Sequence, residues 1–144
     1  MPTYRYPVLL CRDAARGVSA VAVDANAVGF AATPADARDD LREYLAWFHR
    51  RKPWLAGPDF REPRLVWHTV AVRPEYRAND RLYPCETEVA VRVPGVFGTR
   101  ESGQPTADLP LLGIRFDYTN EKDVPDLVRR YVLQKLEGLA PHDL

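Results

Sequence analysis

The chain has little of the side-chain chemistry on which most enzymes and metal sites depend. Its 2 cysteines, Cys11 and Cys85, lie far apart without a C-x-x-C pair, and its 3 histidines share no metal-ligand spacing. Free cysteines in cytosolic proteins usually pack as small hydrophobes, so we expect both to be reduced thiols in the core. Neither a metal site nor a cofactor site is expected.

Serine is also scarce, and the glycines are scattered. Ser19 and Ser102 are the only serines, and neither lies in a G-x-S-x-G turn that would present a nucleophile. The 8 glycines never form the phosphate-binding patterns G-x-G-x-x-G or G-x-x-x-x-G-K. These absences favour a protein without catalytic activity.

Excess charge of one sign and long apolar runs are missing too. The 20 Lys and Arg residues balance the 20 Asp and Glu residues, so the chain lacks the basic excess typical of nucleic-acid binding. No apolar run approaches the roughly 18 to 20 residues that span a bilayer, and Arg12 and Asp13 interrupt the amino terminus before a signal-like core could form. We therefore expect protein partners, no membrane partner and a cytoplasmic location.

What the chain does have is ordinary globular composition. It has 144 residues, of which 46% are hydrophobic and 28% are charged, enough for one buried core. We predict a single α+β domain over residues 1–144, with halves at 1–52 and 65–140 joined by a connector rich in proline and aromatic residues at 53–63.

The first half reads as a three-stranded meander followed by a helix. Alternating and β-branched runs predict strands at residues 4–11, 18–23 and 27–32. Thr33 is then a suitable N-cap with Pro34 at the first helical position, and Pro53 stops the helix. Apolar side chains recur along this helix at spacings of three and four: Ala37, Leu41, Tyr44, Leu45 and Phe48.

The periodicity of the second half predicts a repeat of this plan. Strands are predicted at residues 65–73, 81–93 and 112–118, and residues 95–105 are interpreted as a polar loop. Asp123 is expected to cap a second amphipathic helix, which Gly138 would end. The predicted fold is α+β in the order βββα-βββα, with antiparallel strands and the apolar faces of both helices laid on the sheets.

Loop aromatics and arginines are the main candidates for a binding surface, because such side chains often anchor protein interfaces. The connector carries Trp54 and Phe60, and the loop at residues 95–105 carries Phe97, Arg100 and Glu101. The alternative interpretation is that these side chains simply pack over the hydrophobic core.

One constellation keeps a catalytic alternative open. Glu86 and Glu88 lie two apart on a predicted strand, so they share a face, and His68 could approach them from a neighbouring strand. Such a group could serve a small hydrolase or nuclease by acid–base chemistry. Solvent-exposed carboxylates on a strand are the competing interpretation.

The basic run at residues 49–52 also has two interpretations. With Trp47 and Trp54 nearby, it resembles a basic patch interleaved with aromatic side chains, as in some nucleic-acid sites. Cations at the end of a helix also complement its dipole, and a tryptophan can anchor a loop.

Two family resemblances bear on function. Residues 4–51 resemble the HicB arrangement of three strands and a helix, with Gly17 at the first turn and the Ala31-Ala32-Thr33-Pro34-x-x-Ala37 entry into the helix. HicB-like domains serve as antitoxins or protein-binding scaffolds, so this resemblance implies an antitoxin or a nucleic-acid-linked regulator as one alternative.

Residues 67–139 are similar to amino-terminal regions attached to Clp/Hsp100-type AAA+ ATPases in some bacteria. The resemblance is carried by Arg73-Pro74-Glu75-Tyr76-Arg77, Tyr83-Pro84-Cys85-Glu86, and the segments 109–116 and 127–139. It implies a non-catalytic adaptor or substrate-recruitment module whose partner is an AAA+ ATPase or its substrate. The interaction module is the leading functional hypothesis.

Overall fold

The computed structural model describes residues 3–137. The predicted helix stop at Gly138 lies outside these residues. Within the described range the protein is α+β, with three antiparallel sheets and two α-helices. Its elements are β1 (Val8–Asp13), β2 (Gly17–Ala22), β3 (Val28–Ala31), α1 (Pro34–Arg51), β4 (Arg61–Val72), β5 (Glu75–Ala78), β6 (Arg81–Pro84), β7 (Val89–Thr99), β8 (Pro105–Leu109), β9 (Ile114–Asp117), a 3₁₀ turn (Glu121–Asp123) and α2 (Val124–Leu136).

The first half forms the three strands and helix that its sequence predicts. The strands pair in the order β1-β2-β3, and α1 packs on β2 and β3. Thr33 Oγ1 accepts a hydrogen bond from the backbone N–H of Asp36 at 3.3 Å, and α1 ends just before the predicted stop at Pro53. Local capping chemistry therefore fixes both ends of α1.

The buried face of α1 is narrower than predicted. Ala37 and Leu41 are fully buried, but the side chain of Tyr44 is 42% exposed. The helix lies close to the sheet at Gly29, where an added Cβ would stand 2.4 Å from the carbonyl oxygen of Ala37. Glycine is required at this contact because the two backbones meet there.

The second half departs from the predicted three strands. It has six strands before α2, so the expected repeat of the first half is wrong. Four strands form a sheet in the order β4-β7-β8-β9, and β5 and β6 form a separate hairpin. Asn79 and Asp80, both at positive φ (52° and 59°), make its two-residue turn, the conformation of a type I′ hairpin.

Three further sequence expectations need correction in this half. The predicted loop at residues 95–105 begins inside β7, which continues to Thr99. Asp123 precedes α2 without a side-chain capping bond, and Asn120 instead caps the preceding 3₁₀ turn by accepting from the N–H of Lys122. Cys85 and Cys11 are free thiols, as predicted, but both are half-buried rather than core residues.

The main core lies between α2 and the four-stranded sheet. It is built from alternate strand positions and one helix face, including Val70, Val72, Phe97, Leu109, Val128 and Val132. A smaller core beneath α1 uses Val18, Ala20, Ala22, Ala27, Ala37 and Leu41. Each helix therefore covers its own sheet, which is the layer arrangement expected for an α+β protein.

Contacts of two kinds join the halves. Val23, which follows β2, packs with Phe60 and Val96 in a separate buried cluster. Beside it the backbone N–H of Asp24 donates to Asp108 Oδ2 at 2.7 Å, and Arg115 bonds to Asp24. No helix among residues 3–137 is both long and apolar enough to cross a bilayer.

Candidate functional site

A groove of about 820 Å³ lies between α1 and the segment that leads into β1. It exists because α1 is seated on β2 and β3 and leaves β1 uncovered. Val8 and Leu10 pair with Ala22 and Ala20, so they lie on the sheet face that α1 covers. Yet Val8 is 37% exposed and Leu10 is 41% exposed, which leaves an apolar strip beside the helix. We call the whole groove between α1 and this segment the arginine groove.

The floor of the arginine groove is apolar and its rim is basic. Residues of α1 from Arg38 through Leu41 and Leu45 to Arg50 line one side. Arg42 and, from the entering segment, Arg5 complete a set of four guanidinium groups. None of the described residues that line the groove is an aspartate or a glutamate.

These arginines have few charge partners. Arg42 forms an exposed ion pair with Asp39, with Nη1 and Oδ1 3.1 Å apart. In residues 3–137 no ion pair is formed by Arg5, Arg38 or Arg50. Three positive charges thus stand at the edge of an apolar surface without neutralisation, which suits a ligand that is both acidic and apolar.

The outer wall of the groove is held in place by aromatic contacts. The ring of Tyr4 stacks on His49 with centroids 4.3 Å apart, and the hydroxyl of Tyr6 lies 2.7 Å from His49 Nε2. Burial, helped by the neighbouring Tyr4 and Asp24, raises the pKa of Tyr6. The Tyr6 hydroxyl therefore remains protonated at neutral pH. The stacking on His49 and the hydrogen bond to it fix the segment to α1.

The aromatic residues expected to contact a partner have different environments. Trp54 is 75% exposed, whereas Phe60 is 8% exposed in the cluster between the halves. Phe97 is 2% exposed and lies in β7, at the centre of the main core. Its assignment to a polar loop is therefore wrong, because β7 continues to Thr99.

Arg100 and Glu101 do lie in the turn between β7 and β8, but both are engaged within the chain. Arg100 Nε donates to Asp117 Oδ1 at 3.0 Å. The backbone N–H of Glu101 donates to Asp59 Oδ1 at 2.7 Å, and its carboxylate faces Arg61 at 3.4 Å. These contacts shape the turn.

The structure does not gather the catalytic alternative into one site. Glu86 and Glu88 lie in the bend between β6 and β7 rather than on a strand, and Glu88 pairs with Arg73 at 3.4 Å. His68 pairs with Val93 in the ladder, five positions along β7 from residue 88, a separation of roughly 16 Å at strand spacing.

His68 instead is half-buried beside Phe97 at the edge of the main core. Its ring lies 5.6 Å from that of Phe97, burial lowers its pKa, and its Nε2 has no hydrogen-bond partner among the described residues. A small cavity of about 170 Å³ adjoins it, bordered by the Arg64–Glu121 ion pair. No group of three or more His, Cys, Asp or Glu residues that could hold a metal ion occurs within residues 3–137.

The arginine groove was not predicted from the sequence. Part of its signal was present, since Arg38 and Arg42 lie beside Leu41 and Leu45 on one side of α1. Of the four arginines, only Arg50 was assigned a role, in the basic run at residues 49–52. The missing information was the position of the helix across the sheet, which depends on contacts between distant segments.

No family model, curated protein or solved structure matches the chain. The geometry of the described residues is thus the basis for a functional proposal.

Proposed function

We propose that this protein is a non-catalytic interaction module, an adaptor or substrate-recruitment domain of a larger bacterial assembly linked to an AAA+ ATPase. The observation that carries the proposal is the arginine groove, a groove of about 820 Å³ with an apolar floor and four arginines at its rim, preformed beside α1. Concave apolar surfaces with a few charged groups are typical binding sites. The link to an ATPase rests on the resemblance of residues 67–139 to the regions attached to such enzymes.

The electrostatics of the groove favour recognition over a purely structural role. Exposed arginines contribute little to stability when they pair with solvent, so three unpaired guanidinium groups along one groove are of little use to the fold. Arginine is well suited to carboxylates because its planar donors match two oxygen acceptors at once. A protein partner that presents both acidic and apolar side chains complements the arginines and the apolar floor.

The proposal is tested by capture from the native host with matched charge reversals. The groove variant carries Arg38→Glu and Arg50→Glu, and the control variant carries Arg129→Glu and Arg130→Glu on the exposed surface of α2. Both variants change the net charge equally. We expect an ATPase subunit or its substrate to be recovered with the wild-type chain and the α2 variant, and to be lost with the groove variant. Equal recovery of the partner with all three would reject the groove, and recovery of neither kind of protein would reject the adaptor role.

A nucleic-acid-linked regulator is the second candidate, favoured by the four arginines and the aromatic wall of the groove. Single-stranded nucleic acid combines phosphates with bases that stack on aromatic rings. This candidate predicts binding of a single-stranded oligonucleotide whose affinity falls steeply between low and physiological salt. The balanced charge of the whole chain favours the protein partner instead.

A further inference from the structure

The carboxyl-terminal end of α1 extends beyond the sheet that the helix covers. Its 18 residues span roughly 27 Å, whereas the six residues of β2 span about 20 Å. The fully buried residues of α1, Ala37 and Leu41, both lie in its first half. The second half therefore buries no side chain completely, and Tyr44 and Trp47 are 42% and 44% exposed.

A fixed turn after α1 adds a third exposed aromatic side chain. The backbone N–H of Leu55 donates to the carbonyl oxygen of Lys52 at 3.1 Å, and the hydroxyl of Tyr4 donates to the carbonyl oxygen of Leu55 at 3.4 Å. Between these residues Trp54 is 75% exposed, more than any other large apolar side chain in residues 3–137. We call residues 44–55, the end of α1 with this turn, the basic tip.

The charge of the basic tip has one sign. Arg50, Arg51 and Lys52 are consecutive, and residues 44–58 contain no aspartate or glutamate. None of the three cations forms an ion pair within the part of the chain that the structure describes. Because the chain as a whole is neutral, the basic tip is a local excess of positive charge, which attracts an anionic surface.

The arrangement of the basic tip disfavours three kinds of ligand. Arg51 Cζ lies 4.8 Å from the ring centroid of Trp47, and Lys52 Nζ lies 5.2 Å from that of Phe48, so cations occupy ring faces on which the bases of a nucleic acid would stack. Neither Trp47 nor Trp54 lines the arginine groove or the small cavity beside β4, so these side chains offer no concave site to a peptide. A second copy would bring like charges together.

We propose that the basic tip binds the surface of an anionic lipid bilayer, with Trp47 and Trp54 among the headgroups and Arg51 and Lys52 against their phosphates. Tryptophan suits this region because its ring is apolar and its N–H is polar, and each cation near an anionic surface adds to the attraction. The contact is peripheral, so no segment crosses the bilayer. It goes beyond the proposed function and departs from the expectation of no membrane partner, which rested on the lack of long apolar runs.

The test measures sedimentation of the full chain with lipid vesicles. One set of vesicles contains phosphatidylcholine and phosphatidylglycerol in equal amounts, and the other contains phosphatidylcholine alone. We expect binding to the anionic vesicles to be at least about tenfold stronger than binding to the neutral ones. Raising the salt concentration from about 0.05 M to about 0.5 M should release the protein, because screening shortens the reach of its charges.

Variants that remove charge locate the contact. Arg51→Gln with Lys52→Gln should weaken binding to the anionic vesicles at least about tenfold, because each cation near the surface accounts for about fivefold. Arg129→Gln with Arg130→Gln removes the same charge from the exposed surface of α2 and should leave binding within about twofold of wild type.

A pair of exposed tryptophans provides a second test that leaves the charge unchanged. Trp54→Ala should weaken binding to the anionic vesicles at least about tenfold. Trp67 is 51% exposed and also has a cation over its ring, with Arg92 Cζ 4.9 Å from the centroid, but it lies on β4, outside the basic tip. Trp67→Ala should therefore leave binding unchanged.

Equal binding to anionic and neutral vesicles, no binding to either, or equal losses in the tip and control variants would overturn the inference. It would also be overturned if the chain bound a labelled oligonucleotide, or captured a host protein through Arg51 and Lys52, without binding the anionic vesicles. These variants leave Arg38 and Arg42 of the arginine groove intact, so failure here does not decide the proposed function.

Discussion

Asp108 is a buried carboxylate at the junction of the two halves. It is 4% exposed, and its Oδ2 accepts the backbone N–H of Asp24. Burial raises the pKa of Asp108, although the Asp24 N–H and nearby Arg115 act in the opposite direction. A carboxyl whose pKa is raised by folding stabilises the fold most below its unfolded pKa, and that contribution is lost as the pH rises through the folded value.

Replacing this carboxyl should therefore change the pH dependence of stability. Asp108→Asn remains neutral at every pH and keeps a carbonyl acceptor for the Asp24 N–H. The free energy of unfolding of this variant minus that of the wild type should therefore increase as the pH is raised from about 4 to about 7. Asp108→Ala removes the acceptor and should lose about 1–3 kcal/mol, because a buried donor is left unpaired. Urea denaturation at both pH values measures these effects. If the stability of the wild type increased relative to that of the Asn variant as the pH rises, the raised pKa of Asp108 would be contradicted.

Gly29 is the other position where a single residue controls packing. A Cβ there would lie 2.4 Å from Leu41 N and 2.4 Å from Ala37 O, both in the backbone of α1. Gly29→Ala should therefore displace the helix and lower the free energy of unfolding by about 1–3 kcal/mol or more. The neighbouring Val28 is 57% exposed, and Val28→Ala should change it by less than about 0.5 kcal/mol. Equal midpoints for the two variants in urea would show that the helix is not seated on Gly29.

At the scale of elements, the helices were more predictable than the strands. The bounds of α1 follow from Thr33, Pro34 and Pro53, which act on backbone groups within one turn. The hairpin β5–β6 was missed because Asn79-Asp80 was not recognised as a turn, although both residues are types that tolerate positive φ. The strand β7 was ended too early because its glycines and polar residues resemble those of a loop.

The hairpin turn supports a charge-matched test. Asp80 has a φ of 59°, a conformation that costs a residue with a Cβ about 1 kcal/mol but costs glycine almost nothing. Asp80→Gly should slow amide exchange of Tyr76 and Tyr83, which pair across the hairpin, whereas Asp80→Ala should accelerate it. Both substitutions remove the same carboxylate, so a difference between them reports on the turn. Identical exchange in the two variants would contradict the type I′ geometry.

At the scale of the whole molecule, the connector after α1 contributes one structural aromatic and one exposed aromatic. Phe60 packs with Val23 and Val96 between the halves, but Trp54 is 75% exposed. Phe60→Ala should lower the free energy of unfolding by about 3–5 kcal/mol through the cavity it leaves. Trp54→Ala should change it by less than about 0.5 kcal/mol. Chemical denaturation of the pair measures the difference, and similar losses would mean that the connector packs as a single unit.

The sequence by itself determined the class of the protein, the three strands and helix of the first half, and the bounds of α1. Each of these depends on periodicity or capping within a few neighbouring residues. The arginine groove was decided only by the tertiary structure. Small residues at Ala20, Ala22 and Gly29 allow α1 to approach β2 and β3, and β1 is left open beside four arginines as a result. No local pattern encodes that placement, because it depends on how closely segments distant in the chain can pack.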